Sequence, residues 1–348
     1  MKTLNKIIGA IGAAVLMAFV PLKGDACSRV LYKGVDSLYV VGRSLDWKTP
    51  IPTNIYVYPR GMRKVSSNLP NHMSWTSRYA AVYAVGYDGG VTEGMNEKGL
   101  VVNGLFCKGT IYNDSVSSKK YTMSLAVFVA WLLDNNETVE EVKKALRESD
   151  FDIQGATFDG GTVSALHWGV TDATGQSIIF EFDRGKVNIY EMGDFRAMTN
   201  DPVWPDMTAV IRYWEKIGGK NMLPGTVTSP DRCVRANYFA HHVEAVGDGD
   251  LGVSITRSVL VNSSVPYTYL VQGEPNLSST QWRSYADLRD CRYYFDIVTN
   301  PGYYYVDMKT LDLSKGAPVL KLDTSRTSDL VGNANSRLVK SEPFTPMY

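Results

Sequence analysis

Short β-strand patterns separated by tight turn signals recur along this chain, and they restrict its fold more than any other feature of the sequence. Two such patterns, 29–32 and 37–43, flank Lys33-Gly34 and predict an N-terminal hairpin. A longer β-rich segment, 79–106, is broken twice by turn-forming residues, at 88–90 and at 96–99. Because turns this short join antiparallel neighbours, the segment predicts an antiparallel meander.

Helix patterns interrupt these strands. The predicted helices cover 123–133, 139–146 and 232–246. Thr138 followed by Glu141 forms a capping-box pattern at the start of the second helix. Further strand patterns cover 163–170, 177–182, 187–190, 293–298 and 303–308. Blocks of antiparallel strands that alternate with blocks of helices favour an α+β layered fold over a doubly wound parallel sheet.

The first 26 residues differ from the rest of the chain. Lys2 and Lys6 precede an apolar run, 7–20, which leads to Gly24-Asp25-Ala26, and this is the pattern of a secretory signal peptide. The run is shorter than the roughly 20 apolar residues that span a bilayer, and no later segment is a candidate, so no membrane anchor is expected. We therefore predict a signal peptide over 1–26, one domain over 27–348, and secretion.

The charge balance restricts the class of partner. Lys plus Arg and Asp plus Glu each total 36, so no strong net field attracts the chain to nucleic acid or to an anionic membrane. Removing residues 1–26 takes away three lysines and one aspartate and leaves a net charge of about −2. A small, partly apolar molecule is the partner that this balance favours.

The sequence does not support a zinc enzyme, a serine hydrolase or a dinucleotide-binding site. No H-E-x-x-H or G-x-S-x-G pattern occurs, and the histidines are His72, His167, His241 and His242. Residues 247–252 match G-x-G-x-x-G by letter, but they follow a predicted helix and carry two aspartates, so we interpret them as a surface turn. The cysteines lack the close pairs of zinc sites and stand at Cys27, Cys107, Cys233 and Cys291. With Cys27 set aside, at least one of the other three cannot pair within the chain and is expected to be a small buried residue.

Several motifs follow one another in a fixed order. Behind the predicted cleavage site the chain reads Cys27-Ser28-Arg29, and the first hairpin ends with Gly42-Arg43-Ser44-Leu45-Asp46-Trp47. Later motifs are Gly94-Met95-Asn96-Glu97-Lys98-Gly99-Leu100, Thr199-Asn200-Asp201-Pro202 and Arg232-Cys233-Val234-Arg235. This ordered set resembles the choloylglycine hydrolase family, which includes bile salt hydrolases and penicillin V acylases. The resemblance spans most of 27–348 and is more specific than any single motif.

Cys27 is the candidate nucleophile. A thiol on the first residue has its own general base, because the α-amine has an unperturbed pKa of about 7.7 to 8.0 and can accept the thiol proton. The amine can later return that proton to the leaving nitrogen, so no histidine is required. Two alternatives remain open, an ordinary cysteine near a cleavage site and a lipidated cysteine. Lipoprotein signals usually carry an aliphatic residue three positions before the cysteine, where this chain has Gly24.

The resemblance assigns roles to Arg43 and Asp46. In this family the matching arginine lies beside the thiol, and the matching aspartate holds the α-amine. Both roles make physical sense, because a guanidinium favours a thiolate and a carboxylate orients an ammonium. Without the resemblance, an exposed salt bridge at a strand end would explain the pair.

Three further site residues come from the resemblance. Asn200 matches the side-chain amide that donates to the oxyanion, with a second donor near Phe106. Family members often carry Asn or Tyr where this chain has Phe106, so a backbone N–H is the donor that would remain there. Arg232 matches a late active-site arginine, although Cys233 stands where the family has Phe. The alternatives are a turn residue before proline for Asn200 and an exposed arginine at a helix start for Arg232.

The resemblance also implies a fold, an activity and a location. The fold is the four-layer αββα N-terminal-nucleophile hydrolase fold, and the reaction is hydrolysis of a linear amide without cofactor or metal. Glycine- or taurine-conjugated bile salts are favoured, because a signal peptide with this motif set resembles secreted members from Gram-negative gut bacteria, where the protein would be periplasmic. Penicillin V or another N-acyl amide is the alternative substrate. A secreted ligand-binding protein without activity is the alternative of another class, and a homotetramer is an assembly common in the family.

We predict that the secreted protein begins at Cys27, because Ala26 suits signal peptidase and only a free terminus supplies the base. Mass spectrometry of the secreted protein measures the first residue directly. A lipid-modified cysteine, or a first residue other than Cys27, would contradict the mechanism.

Overall fold

The computed structural model describes residues 26–113, 118–158, 162–272 and 277–348. Apart from Ala26, the predicted signal peptide lies outside the described residues. Helices α1 to α5 cover Leu125–Asn135, Val139–Arg147, Trp204–Ile217, Ser229–His241 and Gly249–Val261. Three 3-10 turns cover Met308–Thr310, Thr324–Arg326 and Asn335–Arg337. In this part of the chain, no helix has both the length and the apolar composition to cross a lipid bilayer.

The described strands are numbered in chain order. Strands β1 to β8 cover Ser28–Lys33, Tyr39–Trp47, Thr53–Tyr58, Arg63–Val65, Ser74–Thr76, Ala81–Gly86, Gly90–Asn96 and Val101–Phe106. Strands β9 to β16 cover Tyr121–Ser124, Phe151–Gln154, Thr157–Phe158, Thr162–Val163, Leu166–Thr171, Ser177–Asp183, Lys186–Glu191 and Ala197–Thr199. Strands β17 to β22 cover Ser279–Asp287, Arg292–Ile297, Tyr304–Asp307, Val319–Leu322, Gly332–Asn333 and Val339–Ser341.

Two large sheets contain most of these strands. The first sheet has the order β16-β1-β2-β17-β18-β19-β21 and is antiparallel except for its last pair. The second sheet has the order β15-β14-β13-β8-β7-β6-β3-β20-β22 and is antiparallel throughout. Strand β1 lies between β16 and β2, with Ser28 opposite Thr199 on one side and opposite Ser44 on the other. This pairing brings Cys27, the residue before β1, next to two of the predicted motifs.

Three buried apolar clusters separate four layers. One cluster joins α1 and α2 to the second sheet and includes Tyr83, Phe128 and Trp168. Another lies between the two sheets and includes Val41, Val82 and Phe295. The remaining cluster joins the first sheet to α3, α4 and α5 and includes Val30, Met207 and Leu260. The arrangement confirms the predicted α+β class and the four-layer αββα order.

Strand β6 illustrates why strands inside the layers are apolar on both faces. Ala81, Tyr83 and Val85 belong to the cluster under α1, whereas Val82 and Ala84 belong to the cluster between the sheets. Side chains alternate across a strand, so a strand covered on both sides must be apolar at every position. A charged residue inside such a strand therefore needs a buried partner.

The structure confirms the predicted hairpin at the N-terminus and the meander of β6, β7 and β8. It also confirms the start of α2, where Thr138 Oγ1 accepts a hydrogen bond from the Glu141 N–H at 3.2 Å. The helix predicted over 232–246 is wrong at both ends, because α4 runs from Ser229 to His241. Pro at the start of α4 suits the first turn of a helix, so the chain enters the helix earlier than the apolar pattern indicates.

The structure corrects the interpretation of 247–252 as a turn. Asp248 caps α5 through its side chain, and the helix begins at Gly249. Gly252 lies inside the helix where a Cβ would come within 2.8 Å of the Leu38 side chain, so this glycine allows close packing of α5 on the first sheet. Helix α3 and strand β17 were not predicted from the sequence.

Candidate active site

Cys27 lies in the interior of the molecule, at the start of the strand that runs through the first sheet. Its side chain is almost fully buried, with 4% of its surface exposed. Ala26 is joined to Cys27 here, so the nitrogen is an amide N–H, and it donates a hydrogen bond to Oδ1 of Asn200. The thiol Sγ lies 3.9 Å from the carbonyl oxygen of Asp46. The structure thus brings the predicted nucleophile together with two of the predicted site residues.

Arg43 contacts the thiol directly. Its Nη2 lies 3.6 Å from Cys27 Sγ and donates to the carbonyl oxygen of Gly104 at 3.0 Å. The guanidinium also lies 4.8 Å from the ring centre of Trp282, which is a cation–π distance. Burial raises the pKa of the Cys27 thiol above its ordinary value, and the positive charge of Arg43 is the largest effect opposing that rise.

Glu93 is the buried counter-charge of Arg43 and was not predicted from the sequence. The Oε2 of Glu93 lies 3.2 Å from Nε of Arg43, and its Oε1 accepts hydrogen bonds from Tyr293 at 2.6 Å and from Ser284. Glu93 is fully buried on β7, one residue before the motif that starts at Gly94. An acidic residue within an apolar strand pattern was the available signal, because buried carboxylates require a partner.

Asp46 does not pair with Arg43. The alternative explanation of these two residues, an exposed salt bridge at a strand end, is therefore wrong. Both residues are buried, at 0% and 3% exposure. The Oδ2 of Asp46 accepts from Ser44 at 3.3 Å and lies 4.0 Å from Nη1 of Arg232. Its buried Oδ1 has no partner in hydrogen-bond geometry among the described residues, although the Thr280 side chain lies near enough to the carboxylate to lower its pKa. Burial raises the pKa of Asp46 to about 6, against the opposing charge of Arg232.

Arg232 is fully buried, which excludes the alternative of an exposed arginine at a helix start. From the first turn of α4, its Nη1 donates to the carbonyl oxygen of Cys27 at 2.8 Å and to Oγ of Ser28 at 2.6 Å. Its Nη2 donates to Oδ1 of Asn200 at 3.0 Å. Burial lowers the pKa of Arg232, although Asp46 opposes this effect. The guanidinium therefore orients Cys27, Ser28 and the Asn200 amide together.

Asn200 follows β16 and is buried, with each end of its amide group engaged. The oxygen accepts from the nitrogens of Cys27 and Arg232, and Nδ2 donates to the carbonyl oxygen of Phe106 at 2.8 Å. The main chain of Phe106 thus contacts Asn200 through its carbonyl group. The ring of Phe106 lies 5.7 Å from the ring of Trp47.

A buried histidine fixes the main chain just before Asn200. The Nε2 of His167 lies 2.8 Å from the carbonyl oxygen of Thr199, and Nδ1 lies 3.0 Å from Oε1 of Glu181. Burial disfavours the charged imidazole, but contacts with Cys107 and Glu181 outweigh it and raise the pKa of His167 to about 10. No sequence pattern indicated this role, because nothing along the chain links 167 to 199.

Among the described residues, a cluster of possible metal ligands is formed by Cys107, His167 and Glu181. Their ligand atoms all lie within 4.8 Å of one another. Both ring nitrogens of His167 already face oxygen acceptors. Glu181 also accepts from the Trp204 N–H at 2.8 Å. A metal ion would have to displace these hydrogen bonds, so the cluster is better explained as a hydrogen-bonded support of the Thr199–Asn200 segment. All four cysteines are free and buried.

A cavity opens beside the thiol, with about 820 Å³ of empty space when the open solvent at its mouth is included. Cys27, Arg43 and Asp46 lie in its wall. Most of the remaining wall is apolar and includes Leu45, Trp47, Ile51, Phe106, Leu125 and Leu166. The charged residues therefore lie at one side of a pocket that can hold an apolar group.

Comparisons with known proteins agree with this geometry. The sequence model of the family described as linear amide C–N hydrolases, choloylglycine hydrolase family, matches residues 27–328. A penicillin V acylase from Pectobacterium atrosepticum is 30% identical over 343 residues, covering 92% of this chain and 91% of that protein. A bile salt hydrolase/transferase from Clostridium perfringens is 25% identical over 313 residues, covering 82% of this chain and 94% of that protein.

Solved structures give the same result. The structure of penicillin V acylase from Agrobacterium tumefaciens superposes with a TM-score of 0.84 and 36% identity, covering 92% of this chain and 99% of that one. A mutant of the conjugated bile acid hydrolase from Clostridium perfringens has the same fold with a TM-score of 0.72, 23% identity, and coverage of 84% and 95%. The chain belongs to the choloylglycine hydrolase family and is an amidase that acts on linear amide C–N bonds.

Proposed function

We propose that this chain hydrolyses N-acyl amides with an apolar acyl group through a covalent thioester on Cys27. The observation that carries the proposal is the position of Cys27 Sγ, which lies in the wall of an apolar cavity and 3.6 Å from a buried guanidinium. An apolar acyl group in the cavity would bring its carbonyl carbon to the thiol.

The proposed base is the α-amine that appears when Cys27 becomes the first residue. The nitrogen already lies against Oδ1 of Asn200, an acceptor that an amine can use equally well. Asp46 supports this role because its buried Oδ1 has no hydrogen-bond partner among the described residues, and an ammonium nearby would supply one. A carboxylate near the amine also favours the protonated form that results from taking the thiol proton.

The proposed reaction has two steps, formation of a thioester on Cys27 and hydrolysis of that thioester. The thiol loses its proton to the amine as sulfur attacks the amide carbon, and the ammonium returns that proton to the leaving nitrogen. In the second step water attacks the thioester and gives a proton to the amine. The C–S bond then breaks to release the carboxylic acid, and the ammonium returns its proton to sulfur and restores the thiol. Arg43 helps in both steps, because its charge offsets part of the cost of a buried thiolate.

Asn200 is the proposed donor to the oxyanion. An amide NH₂ carries two hydrogens, and in this structure Nδ2 donates to the Phe106 carbonyl oxygen. The second hydrogen would serve the oxyanion, while the bond to Phe106 and the contact with Arg232 fix the plane of the amide. A backbone N–H near Phe106 is the second proposed donor.

Among acyl groups, we propose phenoxyacetyl, the acyl group of penicillin V, over the steroid acyl group of conjugated bile salts. The motif set and the signal peptide by themselves favour bile salts. The acylase similarities are the reason for the change, because they are higher in identity and in TM-score than those to bile salt enzymes. The aromatic side chains of Trp47 and Phe106 in the cavity wall also suit a flat ring. Bile salts remain the second candidate, supported by the clostridial relative.

A binding protein without activity is disfavoured by the energetics of the site. Arg43, Asp46, Glu93 and Arg232 are all buried. Buried charges cost several kcal/mol each in desolvation, so a pocket that only bound apolar groups would gain from losing them.

The apolar run in residues 7–20 supports secretion, with the periplasm as the proposed location and Cys27 as the first residue.

We predict that protein beginning at Cys27 hydrolyses penicillin V with a kcat/KM roughly tenfold or more above those for taurocholate and glycocholate. Release of 6-aminopenicillanic acid, taurine and glycine measures the three rates. Cys27→Ser should nearly abolish turnover, since a hydroxyl is a much weaker nucleophile than a partly ionised thiol. A preference for bile salts would overturn the proposed substrate, and an active Cys27→Ser would overturn the thioester.

Asn200→Ala should lower kcat by about 10² to 10³ with a smaller change in KM, because an oxyanion donor acts mainly in the transition state. Steady-state kinetics on the preferred substrate separates the two constants. An Asn200→Ala variant with raised KM and nearly unchanged kcat would assign this residue to substrate binding instead.

Arg43→Gln should move alkylation of Cys27 by iodoacetamide to higher pH. A neutral side chain no longer favours the thiolate, so the thiol pKa rises and less thiolate is present at any given pH. Mass spectrometry of the Cys27 peptide follows the reaction without interference from the other cysteines. Arg235→Gln, an arginine on the same helix as Arg232, is the matched control and should leave the profile unchanged.

The double variant Arg43→Gln with Glu93→Gln removes both members of the buried pair. Arg43→Gln alone leaves Glu93 as a buried carboxylate without its partner, which could unfold the protein. The double variant avoids this because both charges are lost together. An alkylation profile in this folded variant that matches the unmodified protein would mean that Arg43 does not activate the thiol.

A further inference from the structure

The far end of the chain, residues 344–348, lies against the same cavity as Cys27. Strand β22 ends at Ser341, and the segment that follows crosses the outside of the second sheet. The N–H of Phe344 donates to Oη of Tyr58 at 2.9 Å, and the Phe344 ring lies 5.9 Å from the ring of Tyr56 and 6.0 Å from that of Tyr58. These contacts fix the segment before it reaches the cavity.

Met347 is the residue of this segment that enters the cavity wall. Its N–H donates to the carbonyl oxygen of Gly89 at 2.8 Å, in the turn between β6 and β7. A Cβ at Gly89 would lie 2.5 Å from Cγ of Met347, so the absence of a side chain at Gly89 lets the methionine lie flat against the turn. Both Met347 and Cys27 line the cavity.

The neighbouring wall carries several small residues, although Tyr87, in the same turn, also lines the cavity. Gly90 follows the turn that Met347 covers, and a Cβ there would be 3.6 Å from Cα of Ala126 at the start of α1. Gly86, Gly90 and Ala126 all line the cavity. Since Gly86, Gly90 and Ala126 leave space open, the side chain of Met347 limits how much room remains beside them.

We infer that Met347 sets the upper size of the acyl group that binds beside Cys27, and that residues 344–348 act as a specificity-determining wall. The inference rests on the proposed function, because it concerns the acyl group of that same reaction. Methionine suits such a wall, since its unbranched side chain fills irregular space and adapts to different ligands. With 40% of its surface exposed, Met347 can change size without disturbing a close-packed core.

The position of Met347 separates size selection from catalysis. Its hydrogen bond is to the β6–β7 turn, whereas Arg43, Asn200 and Arg232 contact Cys27 itself. A change at Met347 should therefore alter the choice among acyl groups and leave the chemical step for a small acyl group unchanged. A residue with only a structural role would change all substrates by the same factor.

The test uses protein that begins at Cys27, the variants Met347→Ala and Met347→Trp, and a series of N-acyl derivatives of one amine with acyl groups from phenylacetyl through phenoxyacetyl to naphthylacetyl. Met347→Ala should raise the ratio of kcat/KM for naphthylacetyl over phenylacetyl roughly tenfold, and Met347→Trp should lower it by a similar factor. Val339→Ala is the matched control. It removes an exposed apolar side chain from β22, just before the segment, and should leave the ratio unchanged.

Binding of the free acids gives a second readout that needs no turnover. Calorimetric titration with phenylacetic and naphthylacetic acid should show the same reversal of preference between the alanine and tryptophan variants. Unchanged affinity ratios in both folded variants would overturn the role of Met347. If the acids follow the predicted order but no amide is hydrolysed, the proposed function fails while the assignment of the wall stands.

Discussion

The buried ion pair between Arg43 and Glu93 is the interaction on which the active site depends. Arg43 lies on β2 in the first sheet, and Glu93 lies on β7 in the second, so the pair crosses the space between the sheets. Each partner also contacts the opposite sheet, Arg43 through the carbonyl oxygen of Gly104 and Glu93 through Tyr293. Breaking a buried pair by removing one partner costs about 3–5 kcal/mol, which makes the spacing of the sheets at this point difficult to change. One guanidinium nitrogen is left facing the thiol.

The site combines groups from both faces of β2. Val41 and Leu45 belong to the core between the sheets, so the alternation of side chains directs Arg43 to that space as well. Ser44 and Asp46 face the other way, toward Arg232 on α4. Cys27 lies directly before the neighbouring strand β1, where Arg43 reaches its thiol and Arg232 reaches its carbonyl oxygen. The layered fold thus supplies a cation on one side of the nucleophile and a carboxylate with a second cation on the other.

The sequence was sufficient for the parts of the fold that local chemistry determines. Turn residues at 88–90 and 96–99 predicted β6, β7 and β8, and Thr138 with Glu141 predicted the start of α2. The aspartates and glycines of 247–252 looked like a turn because capping residues and turn residues are the same types. In the structure Asp248 caps a helix, and Gly252 packs inside it against Leu38. The ordered motifs identified the family, and the resemblance predicted one shared site for Cys27, Arg43, Asp46, Asn200 and Arg232.

Partners across the layers could not be predicted in the same way. The spacing of Arg43 and Asp46 suggests that they pair with each other, yet each has a partner from a distant part of the chain. Glu93 and His167 acquire their roles only when separate strands are brought together, because the contacts to Tyr293 and Thr199 depend on sheet order and register. No local pattern encodes that order.

Cys27 and Met347 line one cavity although they stand near opposite ends of the sequence, and this limits how the protein can be engineered. An affinity tag before Cys27 would occupy the amine that the proposed reaction needs, and a tag inserted beside Met347 would displace part of the cavity wall. The connection between α3 and α4 has exposed residues at Lys220 and Asn221. Because neither residue lines the cavity, an internal tag inserted there would leave Cys27 and Met347 in their native surroundings.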